Sequence, residues 1–329
     1  MDEKLITLTQ VKNNTSMSLF LSFIKKRGSM VIFVVLWIFA AIFVRNFATP
    51  SNMILIVKQA AIPVIACLGM TMVLTTGGID LSLGYLIGLS SVIIGICVKI
   101  IGMPAIPAII ITLAVAAVVG LCNGILVQVV KVPAFIATLG MGYIIYGIAE
   151  IIGKGSAYNK MPADLVALGK TDVLGLPIYV FISLGVIVIC YILLHKSVFG
   201  RSLSAFGFNE KASRLSGIKT GKINIATYVI CALFAAIAGI LLTIRVDCAQ
   251  ATLGGGGYTF EIVTAAIVGG ASLFGGVSTV IGSVFGVLII KLIENSINLL
   301  GVSYHLYQAF MGAVILLAII FENIKNRRL

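Results

Sequence analysis

The chain has 329 residues, of which 60% are hydrophobic and 10% charged, with a mean hydropathy of +1.16 and a formal net charge of +12. A soluble domain typically carries about 25% charged residues, so this composition excludes an ordinary water-soluble fold. At about 20 apolar residues per helical span, the length accommodates roughly ten crossings joined by short connectors.

The N-terminal 28 residues are polar and end in Lys25, Lys26 and Arg27 before the first apolar run. That run, 29–44, is followed by Arg45-Asn46 and more apolar sequence. It reads as a retained helix, not a cleaved signal with a small-residue site. Further apolar segments fall at 53–75, 79–101, 106–130, 132–152, 176–194, 223–244, 259–273, 278–300 and 304–321. The runs are long and continuous and lack the alternation of a membrane barrel. They predict an all-α polytopic membrane protein with about ten transmembrane segments: a permease-like body over 29–321 between a cytoplasmic segment 1–28 and a tail 322–329. The short segment 259–273 is the one whose full crossing is open.

Basic residues orient the body. With the N-terminus inside, fifteen of the 23 Lys and Arg fall on the cytoplasmic side, among them Lys131, Lys196, Arg201, Lys211, Arg214, Lys219, Lys222, Lys325, Arg327 and Arg328. Six fall outside: Arg45, Lys99, Lys154, Lys160, Lys170 and Arg245. Both termini are therefore expected in the cytoplasm. The charges are scattered through connectors, not gathered on one basic face, which argues against a nucleic-acid partner. The longest connectors, 154–175 and 197–222, fall short of the roughly 50 residues an independent domain needs. No ATPase or catalytic domain fits.

Motifs for enzymatic chemistry are absent. Gly217-Ile218-Lys219-Thr220-Gly221-Lys222 has three residues between its glycines where a phosphate loop needs four. Gly169-Lys170-Thr171 has Asp164 in the position of the first glycine. His195 and His305 stand alone at segment ends, and the six cysteines show no CxxC pairing and read as small hydrophobes. No catalytic residue, cofactor or metal is expected.

Ionisable groups within apolar segments are few: Lys58, Glu150, Glu261, Lys291 and Glu294, with Asp80 at a segment start. Such groups are expensive in a bilayer and are the default places to look for function. Their scarcity argues against an ion-driven carrier and for a neutral cargo. Asp80 has two compatible readings, a helix N-cap after Gly77-Gly78 and a pathway residue. A GGxxLxxG echo joins Gly77–Gly84 to Gly269–Gly276, each near a GxxxG (Gly84–Gly88, Gly282–Gly286), as internal repeats in transporters often do. The GxxxG pairs are expected to pack helices, within one chain or against a second copy.

In the connector 197–222, Asn209 is placed to cap a short helix with Glu210 in its first turn and Gly217 at its end. Ala212, Leu215 and Ser216 then share a face flanked by Lys211 and Arg214.

At Leu74–Gly84 (LTTGGIDLSLG), Cys122-Asn123-Gly124, Val132–Gly140, Phe199-Gly200-Arg201, Gly207–Ile218, Ile267–Gly276 and Asn298–Val302, the chain resembles the ribose/arabinose/xylose/galactose-type permease subunits of bacterial ABC importers. The likeness runs collinearly from about residue 30 to 321. It implies an ABC importer permease fold in the bacterial inner membrane. It also implies a second permease chain (homodimer or close heterodimer), a separate ATPase that binds ATP and Mg, and an extracytoplasmic sugar-binding protein. It assigns ATPase coupling to Gly207, Asn209, Glu210, Ala212, Arg214, Leu215, Ser216 and Gly217. Thr75, Asp80, Asn123, Phe135, Thr138 and Glu261 are the candidate translocation pathway, and the transported solute is expected to be a pentose or hexose. An ion-coupled secondary transporter, or a permease for a nucleoside or another small polar solute, is the alternative. Lys211-Ala212-Ser213 departs from the pair of alanines of many relatives. The run Gly254–Gly257 exceeds the usual one or two glycines, which implies a more mobile outer loop.

Overall fold

The computed structural model describes residues 28–303, 307–314, 316 and 320. The basic tail Lys325, Arg327 and Arg328, His305 and part of the segment 304–321 lie outside the described residues, as does the N-terminal segment before Gly28. In chain order the helices are α1 (Gly28–Phe43), α2 (Pro50–Thr75), α3 (Leu83–Gly95), α4 (Ala105–Gln128), α5 (Ala134–Gly153), α6 (Ala163–Lys170) and α7 (Ile178–Tyr191). They continue with α8 (Val198–Phe208), α9 (Glu210–Leu215), α10 (Thr220–Val246), α11 (Gly256–Val268) and α12 (Val280–Leu299). Wider π-helical turns extend α3 through Ile96–Ile100 and α7 through Ile192–Lys196. Two short antiparallel ribbons, β1 (Tyr158–Asn159) with β4 (Cys248–Ala249) and β2 (Asp172–Val173) with β3 (Leu176–Pro177), and a 3-10 turn at Ala251–Leu253 lie between the helices, and residues 307–314 are helical as well.

Among the described residues, seven helices are long and apolar enough to cross a membrane: α2, α3 with its π-turn, α4, α5, α7 with its π-turn, α10 and α12. The 16-residue α1 and the 13-residue α11 are shorter. The protein is thus an all-α polytopic membrane protein.

The bundle has a centre and a rim. Most of α2 and α3 is buried, and α10 packs against α2, α3 and α4. The outer faces of α1, α4, α5 and α7 expose rows of large apolar residues such as Phe39, Ile110, Ile144 and Ile189. Such faces suit lipid or another apolar surface. The four glycines of the two GxxxG pairs allow close approach within the chain. A Cβ at Gly84 or Gly88 would overlap the carbonyls of Gly255 or Ala251, and one at Gly282 or Gly286 those of Gly269 or Ala265.

One end of the bundle gathers the C-termini of α2, α4 and α7, helices α8 and α9, the start of α10 and the loop 269–279. The other end carries the ribbons and α6. Three readings are corrected. The segment beginning at residue 79 starts as a helix only at Leu83, because 76–82 forms a turn. The residue at the α3 N-cap is Ser82, and Asp80 sits two residues before it. The Gly254–Gly257 run is packed at its start, not loose throughout: the Gly255 N–H donates to the Gly84 carbonyl at 2.9 Å, and Gly254 lies too close to that oxygen for any side chain, while Gly257 is exposed.

Candidate functional site

The turn after α2 is built around Asp80. Its Oδ1 accepts from the Ser82 N–H at 2.9 Å and from the Ser82 hydroxyl at 2.5 Å. The Ser82 oxygen in turn accepts from Nδ2 of Asn123 on α4 at 2.8 Å. Thr138 on α5 donates to the Ala134 carbonyl at 2.8 Å and accepts from the Leu81 N–H at 3.0 Å. Asp80, Ser82, Asn123 and Thr138 are all buried. Three residues chosen from sequence therefore meet at this turn, Thr138 through the Leu81 N–H, and Ser82, which bonds both Asp80 and Asn123, was missed. Burial pushes the Asp80 carboxyl above its ordinary range, and the two bonds from Ser82 pull it back. No cation pairs with Asp80 among the described residues. Hydroxyl and amide dipoles do the neutralising.

Thr75 belongs to a neighbouring junction. Its carbonyl accepts from the Gly276 N–H at 2.9 Å, and its hydroxyl bonds Ser278. The two GGxxLxxG segments thereby meet, the turn 76–82 against the loop 269–279. Gly207 of α8 is wedged into the same junction, where a Cβ would overlap the Thr75 carbonyl and the Gly276 nitrogen. The echo in the sequence is a contact in the structure.

The other two expected pathway residues lie elsewhere. Phe135 is 53% exposed on the outer face of α5. Glu261 on α11 is paired with Lys291 of α12 at 2.7 Å, and Lys291 also holds Glu294 at 2.8 Å. This triad, with Lys291 buried and both glutamates half-buried, was not read from the sequence. The local signal was the Lys291/Glu294 spacing of three on one helix, and Glu261 enters only through the fold.

The short helix expected at 209–217 is α9. Asn209 caps it, accepting from the Ala212 N–H at 2.9 Å. Gly217 ends it with φ +82°, a left-handed conformation that suits glycine. Its N–H donates to the Arg214 carbonyl at 3.0 Å. Ser213 is buried, while Lys211, Ala212, Arg214, Leu215 and Ser216 are exposed. Leu215, at 90%, is nearly as exposed as a leucine can be.

Glu210 fastens α9 to the bundle. Its carboxylate lies 3.6 Å from Lys131 and 3.7 Å from Arg214, and it accepts from Gln128 Nε2 at 3.3 Å. Gln128 Oε1 accepts from Asn224 Nδ2 of α10 at 2.8 Å. A polar chain thus runs from α10 through the end of α4 to α9. The preceding α8, capped by Ser197, was not expected from sequence.

A family profile described as "Branched-chain amino acid transport system / permease component" matches residues 52–319. The chain belongs to this family. Among curated proteins it is similar to the ribose import permease protein RbsC of Escherichia coli K12, at 36% identity over 93% of this chain and 96% of that protein. It is also similar to the L-arabinose transport system permease protein AraH of the same organism, at 33% identity over 91% of each. The galactose/methyl galactoside import permease protein MglC matches at 31% over 94% of this chain and 97% of that protein. No solved structure matches. As a permease component, the chain is a transport subunit and not the ATPase.

Proposed function

We propose that this permease carries a monosaccharide into the cell as the membrane-spanning subunit of an ATP-driven importer in the bacterial inner membrane. The observation that carries the reading is near-full-length similarity to permeases named for ribose, arabinose and galactose. The neutral polar set around Asp80 supports it, because hydroxyl and amide groups exchange hydrogen bonds with a sugar without demanding a charge.

In this reading the body spans the bilayer about ten times, counting α1, α11 and the last segment, and both termini are cytoplasmic. The end bearing α8 and α9 faces the cytoplasm. A separate ATPase, binding ATP and Mg, docks on the exposed face of α9, with Leu215 as apolar anchor and Lys211 and Arg214 beside it. Its motion passes through Gly207 and Glu210 to the 76–82 turn, and the bundle alternates access. A second permease chain completes the pathway, which Phe135 reaches from the outer face of α5. Asp80, Asn123, Thr138 and Thr75 border it, and Glu261 is a wall neutralised by Lys291. An extracytoplasmic binding protein delivers the sugar at the end carrying the ribbons.

Sugar uptake and ATPase pull-down with Gly217→Val and Arg214→Glu test this. Valine is strained at φ +82°. Glutamate at 214 faces Glu210 with like charge. Both variants are expected at parental levels in the membrane and to lose docking or uptake. Parental transport by both makes α9 a mere connector. Uptake by the purified chain alone down an ion gradient favours a secondary transporter instead.

A further inference from the structure

Helix α5 presents two different surfaces to its surroundings. At about 3.6 residues per turn, Ile136, Ile144, Ile148 and Ile151 fall in one arc, and Phe135, Tyr143, Tyr146 and Glu150 fall in the next, an arc of about 80°. The four isoleucines are all exposed and suit lipid. The second arc does not. Tyr143 is 62% exposed and is the tenth of the 20 residues of α5, near the middle of the span. Tyrosines that meet lipid collect instead at the membrane surfaces, where the hydroxyl reaches water. Glu150, half-buried on the same arc, adds a carboxylate that a lipid-facing position disfavours more strongly. This arc therefore faces something polar.

The aromatic groups on it are held in place. The rings of Tyr143 and Tyr146 lean on Tyr85 of α3, with centroids 5.7 and 5.8 Å away. Tyr85 is clamped between glycines. A Cβ at Gly142 would stand 2.7 Å from its ring, and one at Gly256 would stand 3.0 Å from its hydroxyl. Tyr85 follows Ser82 by three residues, so the cluster carries the polar turn around Asp80 on to the exposed side of the bundle. The Tyr146 hydroxyl lies beside the Glu150 carboxylate one turn further along α5.

These groups match a sugar ring. A monosaccharide has an apolar C–H face and a rim of hydroxyls. Tyrosine offers an apolar face with a polar tip, and a carboxylate accepts from hydroxyls. The carboxylate also disfavours anionic relatives such as sugar phosphates. Contacts on an open face are weak, which suits a solute that must move on. We propose that Tyr143 and Tyr146, held by Tyr85, form a ring-binding ledge of the sugar path, with Glu150 accepting from the sugar's hydroxyls. The sugar as cargo rests on the function proposed above; the aqueous character of this face does not.

The test uses the whole importer, with its ATPase and binding protein, in proteoliposomes, and D-ribose, L-arabinose and D-galactose as probes. Cys122 and Cys248, the cysteines that are not buried, are first replaced by serine. A water-soluble, membrane-impermeant thiosulfonate should modify Tyr143→Cys about tenfold faster or more than Ile144→Cys, because the lipid-facing arc excludes water. Turnover with the transported sugar should slow that modification about fivefold by occupying the ledge. Sugar taken up per ATP hydrolysed should fall about fivefold in Tyr143→Leu and in Tyr146→Leu, which keep apolar bulk and lose the ring. Tyr143→Phe should lose less than Tyr143→Leu. Modification of Tyr143→Cys no faster than of Ile144→Cys, or a disulfide joining two copies at position 143, puts this arc against lipid or a second chain and overturns the ledge. Rapid modification with parental uptake in both leucine variants makes it a wetted wall without sugar contact and overturns it too. If the parental importer carries none of the three sugars, the cargo reading falls and takes the sugar contact with it, while the labelling still tells whether this arc lines an aqueous path.

Discussion

Asp80 and Lys291 are both buried ionisable groups in an apolar bundle, and the fold answers them in opposite ways. Asp80 is met by hydroxyls and amides: Ser82 directly, and Asn123 through Ser82. Lys291 is met by two carboxylates, Glu261 and Glu294. Bonds to neutral dipoles are individually modest and exchangeable. A buried ion pair is different, since removal of one partner strands a charge in a medium that cannot solvate it. The α2–α3 turn is therefore the adaptable side of the molecule, and the α11–α12 contact is a brace. The two are joined where Thr75 meets Gly276 and Ser278, with Gly207 wedged between them.

The largest effect is expected at the brace. Lys291→Met leaves Glu261 and Glu294 facing each other unneutralised and should cost about 3–5 kcal/mol. Thermal unfolding in detergent measures this, and a parental midpoint removes the brace from the account. Next comes the junction. Gly207→Val drives a side chain into the Thr75 carbonyl and should cost about 1–3 kcal/mol as overpacking. Its uptake should fall further than its stability, because the junction joins α8 to the turn.

Asp80 sharpens the contrast. Asp80→Asn keeps an oxygen in place for Ser82 and should cost about 1 kcal/mol, whereas Asp80→Ala orphans the Ser82 N–H and hydroxyl and should cost more, about 2–3 kcal/mol. Equal losses would mean that charge, not hydrogen bonding, holds the turn. The smallest effect is at Asn209→Ala, which removes the α9 cap and about 1 kcal/mol of helix stability. It should weaken ATPase pull-down without changing the unfolding midpoint of the bundle.

Local signals explain what the sequence disclosed. The long helices were legible because a bilayer demands uninterrupted apolar length. Helix α9 was legible because Asn209, Glu210 and Gly217 are start and stop residues at the right spacing. Asp80 was picked as an ionisable residue at the start of an apolar segment, and Asn123 and Thr138 as uncharged polar residues near the motifs that carry the family resemblance; the fold brought them to one place. Features that depend on partners distant in sequence were hidden. Glu261 and Lys291 are 30 residues apart on different helices. Gln128 and Asn224 are 96 apart, and neither is unusual where it stands. The glycines at 254 and 255 looked like slack because the Gly84 carbonyl they pack against lies far away in the chain. Helix α8 has a serine cap and an apolar stripe of Phe199, Leu203 and Phe206, but it lies in a connector that was read for its basic charge.

Two leucines at opposite ends of the bundle offer the most direct test of the coupling claim. Leu215 on α9 is 90% exposed, and Leu174 in the turn between β2 and β3 is 93% exposed. A photocrosslinking residue at each position, in cells expressing the whole importer, reports which end meets the ATPase. Capture of the ATPase from position 215 and not from 174 is the predicted result. Capture from 174, with none from 215, would contradict the orientation and the coupling role of α9 together.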